Sequence, residues 1–437
     1  MNPELKRNLL LDATPFRQLI MPFAISALTY LFYLNNHEYL GREMAMNTSI
    51  TFLIVMIFWG SRAASDTMMD EVSQHTWDFQ RMSSMGAWQM TWGKLVGGSF
   101  YPWVSGSILL LCYVFSSARD VAAAELIKST LLLIVIAAFS VTFGLLNTLL
   151  VVRKNENANS RQANALNLLM GLFVLLMTFS LFTRSNLYPI NWYAYPIDRM
   201  SFFLWSSLAL LFWAVLGAYR LMRQALQYEN SGIVWLAFSL FQLMYWPGFI
   251  SFDLGPSFNV FGSSAYVLLF TIAIVLTWMA IYISDNSTAV LRRLLIAASE
   301  RRFIAMSLHI PLWFVSYVVL CLTALLVFSE TYLWDGNGHI MVVMCLLFVL
   351  RDILLMLFFN LKKHSGRADA SAFLITLLLY ILFPMIIKAA DASMFYCFLP
   401  IPGTTWPWLS TLPVIIQVAV LLTLVIRRYK MQWLQPR

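Results

Sequence analysis

Long apolar runs separated by short polar stretches set the pattern of this 437-residue chain. A helix needs about 20 apolar residues to cross a bilayer. Twelve runs approach that length: 16–35, 47–64, 96–117, 126–152, 163–183, 201–222, 232–250, 262–284, 310–330, 339–361, 370–390 and 407–427. The seventh is short and broken by Trp246-Pro247-Gly248. The expected fold is all-α, a polytopic membrane protein of about twelve transmembrane helices.

Two polar stretches do not fit a bilayer and carry helical periodicity of their own. In the first, Arg62 to Lys94, Asp70, Gln74, Asp78 and Arg81 fall at steps of four, four and three, which predicts one helix over about Asp66–Arg81 with these residues on a single face. Ser83 and Ser84 favour a break, because their hydroxyls compete for backbone partners. Met85, Trp88, Trp92 and Leu95 then form an apolar stripe on a second helix. The second stretch, Asp285 to Leu308, turns Val290, Leu291, Leu294, Leu295 and Ala298 to one arc and Arg292, Arg293 and Glu300 to the opposite one. Both read as interfacial amphipathic helices.

The order of features recurs. Each half has two spans, a cytosolic amphipathic stretch, three spans, an aromatic and proline-rich outer loop (Asn186–Pro196; Phe395–Trp408) and a closing span. Tyr101-Pro102-Trp103 answers Pro311-Leu312-Trp313, and Phe143 with Asn147 answers Phe348 with Arg351-Asp352, at offsets close to half the chain. We expect two six-helix repeats, 1–228 and 229–437, related by an axis along the membrane normal, since each holds an even number of spans and starts inside.

Charge sets the orientation. With both termini cytosolic, 22 of the 29 lysines and arginines fall inside, six fall outside, and Arg351 lies within a span. Such a bias places both termini in the cytoplasm of a multi-pass protein, here expected in the bacterial inner membrane. Only 11% of residues are charged and 60% are apolar, against about 25% charged in soluble domains. The excess of basic residues therefore reflects topology, and nucleic acid is not an expected partner; membrane lipid is. Cys112, Cys321 and Cys345 sit in apolar spans, Cys397 is alone in its loop, and the five histidines are scattered, so neither a disulfide framework nor a metal site is expected. Gly86 to Lys94 has six residues between its glycines and Leu95 after the lysine, which fails as a phosphate-binding loop. No catalytic residues, cofactor or enzymatic activity are expected in the chain itself.

Arg351 and Asp352 are adjacent charges deep in a span. Each costs about 2.5–3.5 kcal/mol at the bilayer centre. Sequence neighbours on a helix diverge by about 100°, so each is expected to find a partner on another span or in a polar cavity. They read either as a site on a translocation path, with Asn147 as the uncharged counterpart, or as an inter-helix clamp.

Glu71, then Thr76-Trp77, a small polar break and Gly93-Lys94 at the mouth of a span resemble the cytosolic coupling segment of type-2 ATP-binding-cassette (ABC) transporter permeases. Residues 2–7, Asn-Pro-Glu-Leu-Lys-Arg, are similar to the in-plane elbow that precedes their first span. In that family a glycine usually precedes the threonine; His75 stands there in this chain. The resemblance implies a permease subunit of an exporter, driven by two separate ATPase subunits that hold ATP and magnesium. It also implies that Asp70, Glu71, Trp77, Asp78, Arg81, Lys94, Arg292, Arg293, Glu300, Arg301 and Phe303 couple to those ATPases, Trp77 or Phe79 in one half and Phe303 in the other serving as apolar anchors. The outer loops, with Pro189, Pro196, Pro400, Pro402 and Pro407, then read as short re-entrant helices capping an exit path, the other reading being an ordinary interfacial belt of Trp and Tyr. The rival readings are a twelve-helix ion-coupled carrier, for which Asp352 is the main intramembrane acid, and a membrane-embedded lipid-linked transferase.

Overall fold

The computed structural model describes residues 2–11, 14, 19–35, 41–154, 167–172, 174–176, 189–249, 265–284, 286, 288–328, 338–361, 368–389, 397–401 and 407–433. The protein is all-α, and eight helices among the described residues are long and apolar enough to cross a membrane. Phe115, Ile127 and Trp205 are exposed on their flanks. Apolar exposure on this scale is foreign to a protein in water, where contiguous apolar patches rarely exceed a few hundred Å², and is what a hydrocarbon surround calls for.

The chain divides into two compact units, Met1–Asn191 with Tyr195–Asn230, and Trp192–Ala194 with Ser231–Arg437. The first contains α1 (Pro3–Leu11), α2 (Met21–Asn35), α3 (Arg42–Ile54), α4 (Ser61–Ser73), α5 (Trp77–Arg81), α6 (Ala87–Gly98), α7 (Phe100–Ser117), α8 (Ala123–Lys154) and α9 (Arg199–Ala225). A π-helical segment, Val55–Gly60, joins α3 to α4, so Arg42–Ser73 is one continuous rod of 32 residues. At 1.5 Å per residue it is about 48 Å long, well beyond a hydrocarbon core of about 30 Å. Its core contacts come from Phe52, Met56, Leu109, Leu133 and Leu145. Small residues bring the rods close: a Cβ on Gly144 of α8 would stand 2.5 Å from the Ser61 carbonyl oxygen of α4, the kind of approach that drives helix association in lipid.

The second unit contains α10 (Ile233–Tyr245), α11 (Ala265–Ile283), α12 (Thr288–Ser299), α13 (Phe303–His309), α14 (Leu312–Phe328), α15 (Gly338–Asn360), α16 (Ala368–Leu377), α17 (Phe383–Ala389) and α18 (Leu412–Trp433). A second π segment, Leu378–Leu382, joins α16 to α17. Leu320, Met344, Phe348 and Val414 are fully buried, and the Trp235 indole donates a 2.6 Å hydrogen bond to the Ser316 hydroxyl, tying α10 to α14.

Several expectations change. The single helix over 66–81 is two: α4 stops at Ser73 and α5 starts at Trp77, with His75 between them at φ 56°. Helix-ending turn bonds, from the His75 N–H to the Val72 carbonyl and from the Thr76 N–H to the Glu71 carbonyl, replace continuation of the helix. The stripe on α6 is divided as well: Trp88 and Trp92 point outward, stacked 6.0 Å apart, whereas Leu95 is buried. The first outer loop is a short β-ribbon instead of a re-entrant helix, Ile190–Trp192 with Tyr195–Ile197, turned by Tyr193 and Ala194 at φ 49° and 63°. Two consecutive positive φ values make a two-residue hairpin turn whose twist matches its strands. The span expected at 232–250 is helical only to Tyr245, where Pro247 removes a donor and the chain finishes in a 3-10 turn. Most of the span expected at 163–183 lies outside the described residues.

Candidate functional site

The residues that carry the sequence resemblance meet at one place in the first unit. α1 lies against α6, where Gly93 and Gly97 are one turn apart. A Cβ on Gly93 would come within 2.6 Å of Glu4 Cβ, and one on Gly97 within 2.8 Å of Asn8 Cβ. That close seat brings Glu4 to Lys94, whose Nζ is 3.2 Å from Glu4 Oε1. Lys94 also pairs with Glu71 of α4. Arg7 completes the arrangement, 3.1 Å from Glu4 Oε1 and paired with Glu71. Two carboxylates and two cations alternate, so the cluster is charge-balanced. Lys94 is fully buried and Glu4 nearly so, while Arg7 is 35% exposed. Burial pushes the Lys94 ammonium down to about 8; the Glu4 carboxylate pulls it back up, and Arg7 adds to the lowering. The Trp77 ring stands 5.6 Å from Nζ, a favourable face for a cation.

Glu71, Trp77 and Lys94 are therefore interior groups, and not the partner-facing contacts that the resemblance implies. Their work is to hold α1, α4, α5 and α6 together. What α5 and the preceding turn leave outside is Asp70, the Asp78–Arg81 pair at 3.3 Å, Phe79 and Met82, the last two 73% and 76% exposed. Of the two anchors weighed for this half, Phe79 is the accessible one. In the second unit Arg292, Arg293, Glu300, Arg301 and Phe303 are all exposed, Phe303 by 77%. Glu300 pairs with Arg302 at 3.1 Å, and Arg301, at φ 54°, breaks the stretch 285–308 into α12 and α13.

Within the spans, Arg351 and Asp352 are both buried, and they pair with each other. Arg351 Nε and Nη2 donate to Asp352 Oδ1 at 2.9 and 2.8 Å. The expectation that helical neighbours diverge holds for Cβ positions but not for a side chain as long as arginine's, which folds back along its own helix. Other helices supply the rest. The Tyr380 hydroxyl, from the π segment, donates to Asp352 Oδ2 at 2.8 Å, and Arg351 Nη1 donates to Gln417 Oε1 of α18 at 3.2 Å. The guanidinium also lies over the rings of Phe348 and Tyr380 at 4.6 and 4.9 Å. π-Helical turns recur at functional positions because they re-aim side chains, and here the turn delivers Tyr380.

Gln417 reaches further. Its Nε2 donates 2.9 Å to the Cys397 carbonyl of the second outer loop. Arg351 is thirteen residues, about 20 Å, into α15 from Gly338. The Cys397 carbonyl is thereby linked to Arg351 through the single side chain of Gln417. Tyr380 and Gln417 were missed from sequence; the signal was available, since Gln417 is the lone amide in the run 407–427.

In the first unit Asn147 Nδ2 donates to Asn167 Oδ1 at 2.9 Å, and Asn167 Nδ2 donates to the Ser65 hydroxyl at 2.8 Å. This buried amide relay links α8 to α4 through the helical residues 167–172 and carries no charge. No group of three or more histidine, cysteine or acidic residues suited to a metal ion occurs among the described residues.

The fold and these clusters define the class: an all-α membrane protein whose polar machinery consists of a braced four-charge assembly at α1, α4 and α6 and neutralised clusters within the long apolar helices. Comparison with protein-family models, curated proteins and solved structures gives no match to this chain.

Proposed function

We propose that this chain is the membrane-spanning subunit of an ABC exporter, two six-helix permease units fused in one polypeptide and driven by two separate ATPase subunits. The observation that carries the reading is the turn at His75. The related permeases usually have a glycine before the threonine, and in this chain the backbone there is left-handed, the conformation glycine adopts without penalty. Around that turn, Glu71, Thr76, Trp77, Gly93 and Lys94 converge, and the elbow-like α1 is seated on them. α4 carries the turn beyond the hydrocarbon core and leaves Phe79 and Met82 presented at its tip.

Helix pairing supports the duplication. In the first unit the rod Arg42–Ser73 packs on α7 and α8, and α8 on α9. In the second, α11 packs on α14 and α15, and α15 on α18. The ion-coupled alternative loses ground because Asp352, its principal acid, is bound by Arg351 and Tyr380.

On this reading ATP-driven closure of the ATPases moves the tips at α5 and at α12–α13, and with them the bundle. With Glu71 held in the interior cluster and Asp66 paired with Arg62, the first tip keeps Asp70, Asp78 and Arg81, net −1, and the second is basic, net +2 over 285–302; apolar anchoring at Phe79 and Phe303 lets one kind of ATPase accept both, with charge tuning encounter. The test is purification of the tagged chain from its native host with native mass measurement. One chain of 50.1 kDa with two ATPase subunits is expected. Recovery without any ATPase after gentle cross-linking, or two copies of the chain around one ATPase pair, overturns the reading.

A further inference from the structure

Two helices of the first unit face each other through small and polar residues. Ser140, Gly144 and Asn147 of α8 are spaced four and three, so they share one face, and Ser61 and Ser65, four apart, share one on α4. The faces meet at Gly144, whose missing side chain admits the Ser61 carbonyl oxygen. The π turn that leads into α4 alters the bonding there. The Ser61 N–H reaches back five residues to the Met56 carbonyl. The Ile57 carbonyl, which an α-helix would pair with that N–H, accepts the Ser61 hydroxyl instead. Beside this turn lies a cavity of about 10 Å³ whose lining includes Ile57, Ser61, Ser140, Phe143, Asn167 and Met170. Ser61, Ser140 and Asn167 are each more than nine-tenths buried, and the Ser140 hydroxyl has no hydrogen-bond partner.

Hydrogen-bond capacity and size together identify what fits. A buried hydroxyl without a partner is destabilising, and native interiors seldom keep one. Ser140 is not alone in having capacity to spare. The Ser61 hydroxyl donates to Ile57 and can still accept. Asn167 spends one amide N–H on Ser65 and one carbonyl lone pair on Asn147, which leaves one of each. The space is about the least that admits a single water, and a buried water draws on two to four polar groups; three line this cavity. No charged side chain is among the described residues that line it, so an ion would enter without a countercharge and at a steep desolvation cost. An organic group is too large.

We propose that this cavity is a binding site for one structural water, which bridges Ser140 of α8, Ser61 at the π turn and Asn167. The water joins the Asn147–Asn167–Ser65 relay to that turn and makes one polar network of α4, α8 and the helical residues 167–172. The site does not depend on any ATPase, and its test uses none. The full chain in nanodiscs is subjected to X-ray hydroxyl-radical footprinting, in which radicals formed from bound water oxidise the side chains beside it. Met170 lines the cavity, Met82 is exposed and Met222 is fully buried. Oxidation of Met170 is expected well above that of Met222. Ser140→Val removes the hydroxyl and fills the space with methyl groups, and it should cut the Met170 label several-fold while Met82 labels as before. Ser140→Ala tests the bond by its sign. In a dry cavity the alanine variant sheds an unsatisfied hydroxyl and gains helix propensity, so its melting temperature rises; with water bound it loses a hydrogen bond and melts lower than wild type. Where Ser140→Val fails to fold, this sign decides. Met170 labelled no more than Met222, a label that persists in folded Ser140→Val, or a raised melting temperature for Ser140→Ala overturns the proposal.

Discussion

Lys94 and Glu4 lie ninety residues apart in sequence and 3.2 Å apart in space, both buried. α1 is thereby a structural member of the assembly it forms with α4 and α6, pinned through its charge and through the glycine seat on α6.

Glu4→Gln should therefore destabilise the protein. Removing one partner of a buried ion pair costs about 3–5 kcal/mol, and the low end applies because Glu71 still faces Lys94. The penalty should depend on pH. In the wild type the Lys94 ammonium titrates at about 8 when folded and at its ordinary 10.5 when unfolded. Between those values the unfolded chain binds more protons, so stability from this group rises with pH across that window. Loss of Glu4 depresses the folded value further, so the deficit should be greatest at neutral pH and shrink above pH 8 as Lys94 becomes neutral. Melting in detergent from pH 6.5 to 9.5 checks this; a deficit that grows with pH refutes it.

Asp352→Asn strands the Arg351 guanidinium inside the bundle, and a loss of about 3–5 kcal/mol is expected. Tyr380→Phe removes one hydrogen bond to a charged group and should cost about 1.5–3 kcal/mol. The double variant Arg351→Met with Asp352→Leu should lose less than Asp352→Asn alone. If the double variant is worse than the sum of the single changes, the pair is not a clamp.

Gln417 holds Cys397 down. In a chain whose other three cysteines are replaced by alanine, a membrane-impermeant maleimide should modify Cys397 slowly. Gln417→Leu should accelerate that reaction several-fold. Equal rates would mean that the loop is not restrained by this amide.

Phe79 and Trp77 separate surface from scaffold. Phe79→Ala should change stability by less than about 0.5 kcal/mol, as exposed substitutions generally do, while lowering stimulation of the proposed ATPase. Trp77→Ala removes a buried ring beside Lys94 and should lower the melting temperature whether or not an ATPase is bound. Loss of ATPase response with equal destabilisation in both would place Phe79 inside the scaffold.

The sequence was legible where a single physical rule acts over many residues. Hydrocarbon thickness demands long apolar runs, and the long helices at 123–154, 199–225 and 338–360 lie over runs read that way. It was least legible where a few local bonds decide. The periodicity across 66–81 suits one helix, yet turn bonds around His75 end it. Periodicity also assigns a face without saying what covers it: Glu71 and Asp70 are adjacent, and the seat of α1 buries one and leaves the other in solvent. The Arg351–Asp352 pair was found from its cost in the membrane, while its partners Tyr380 and Gln417, from distant segments, became visible only once the helices were packed.

The four-charge square formed by Glu4, Arg7, Glu71 and Lys94 has a consequence for descent as well as for folding. A lone charge change at any corner leaves an unbalanced ion in the interior, so such steps are selected against, whereas paired replacements that restore neutrality pass. Among related chains these four positions should vary together, an acid exchanged only when a base is exchanged with it, and the covariation should tie α1 to α4 and α6 more tightly than to any residue near it in sequence.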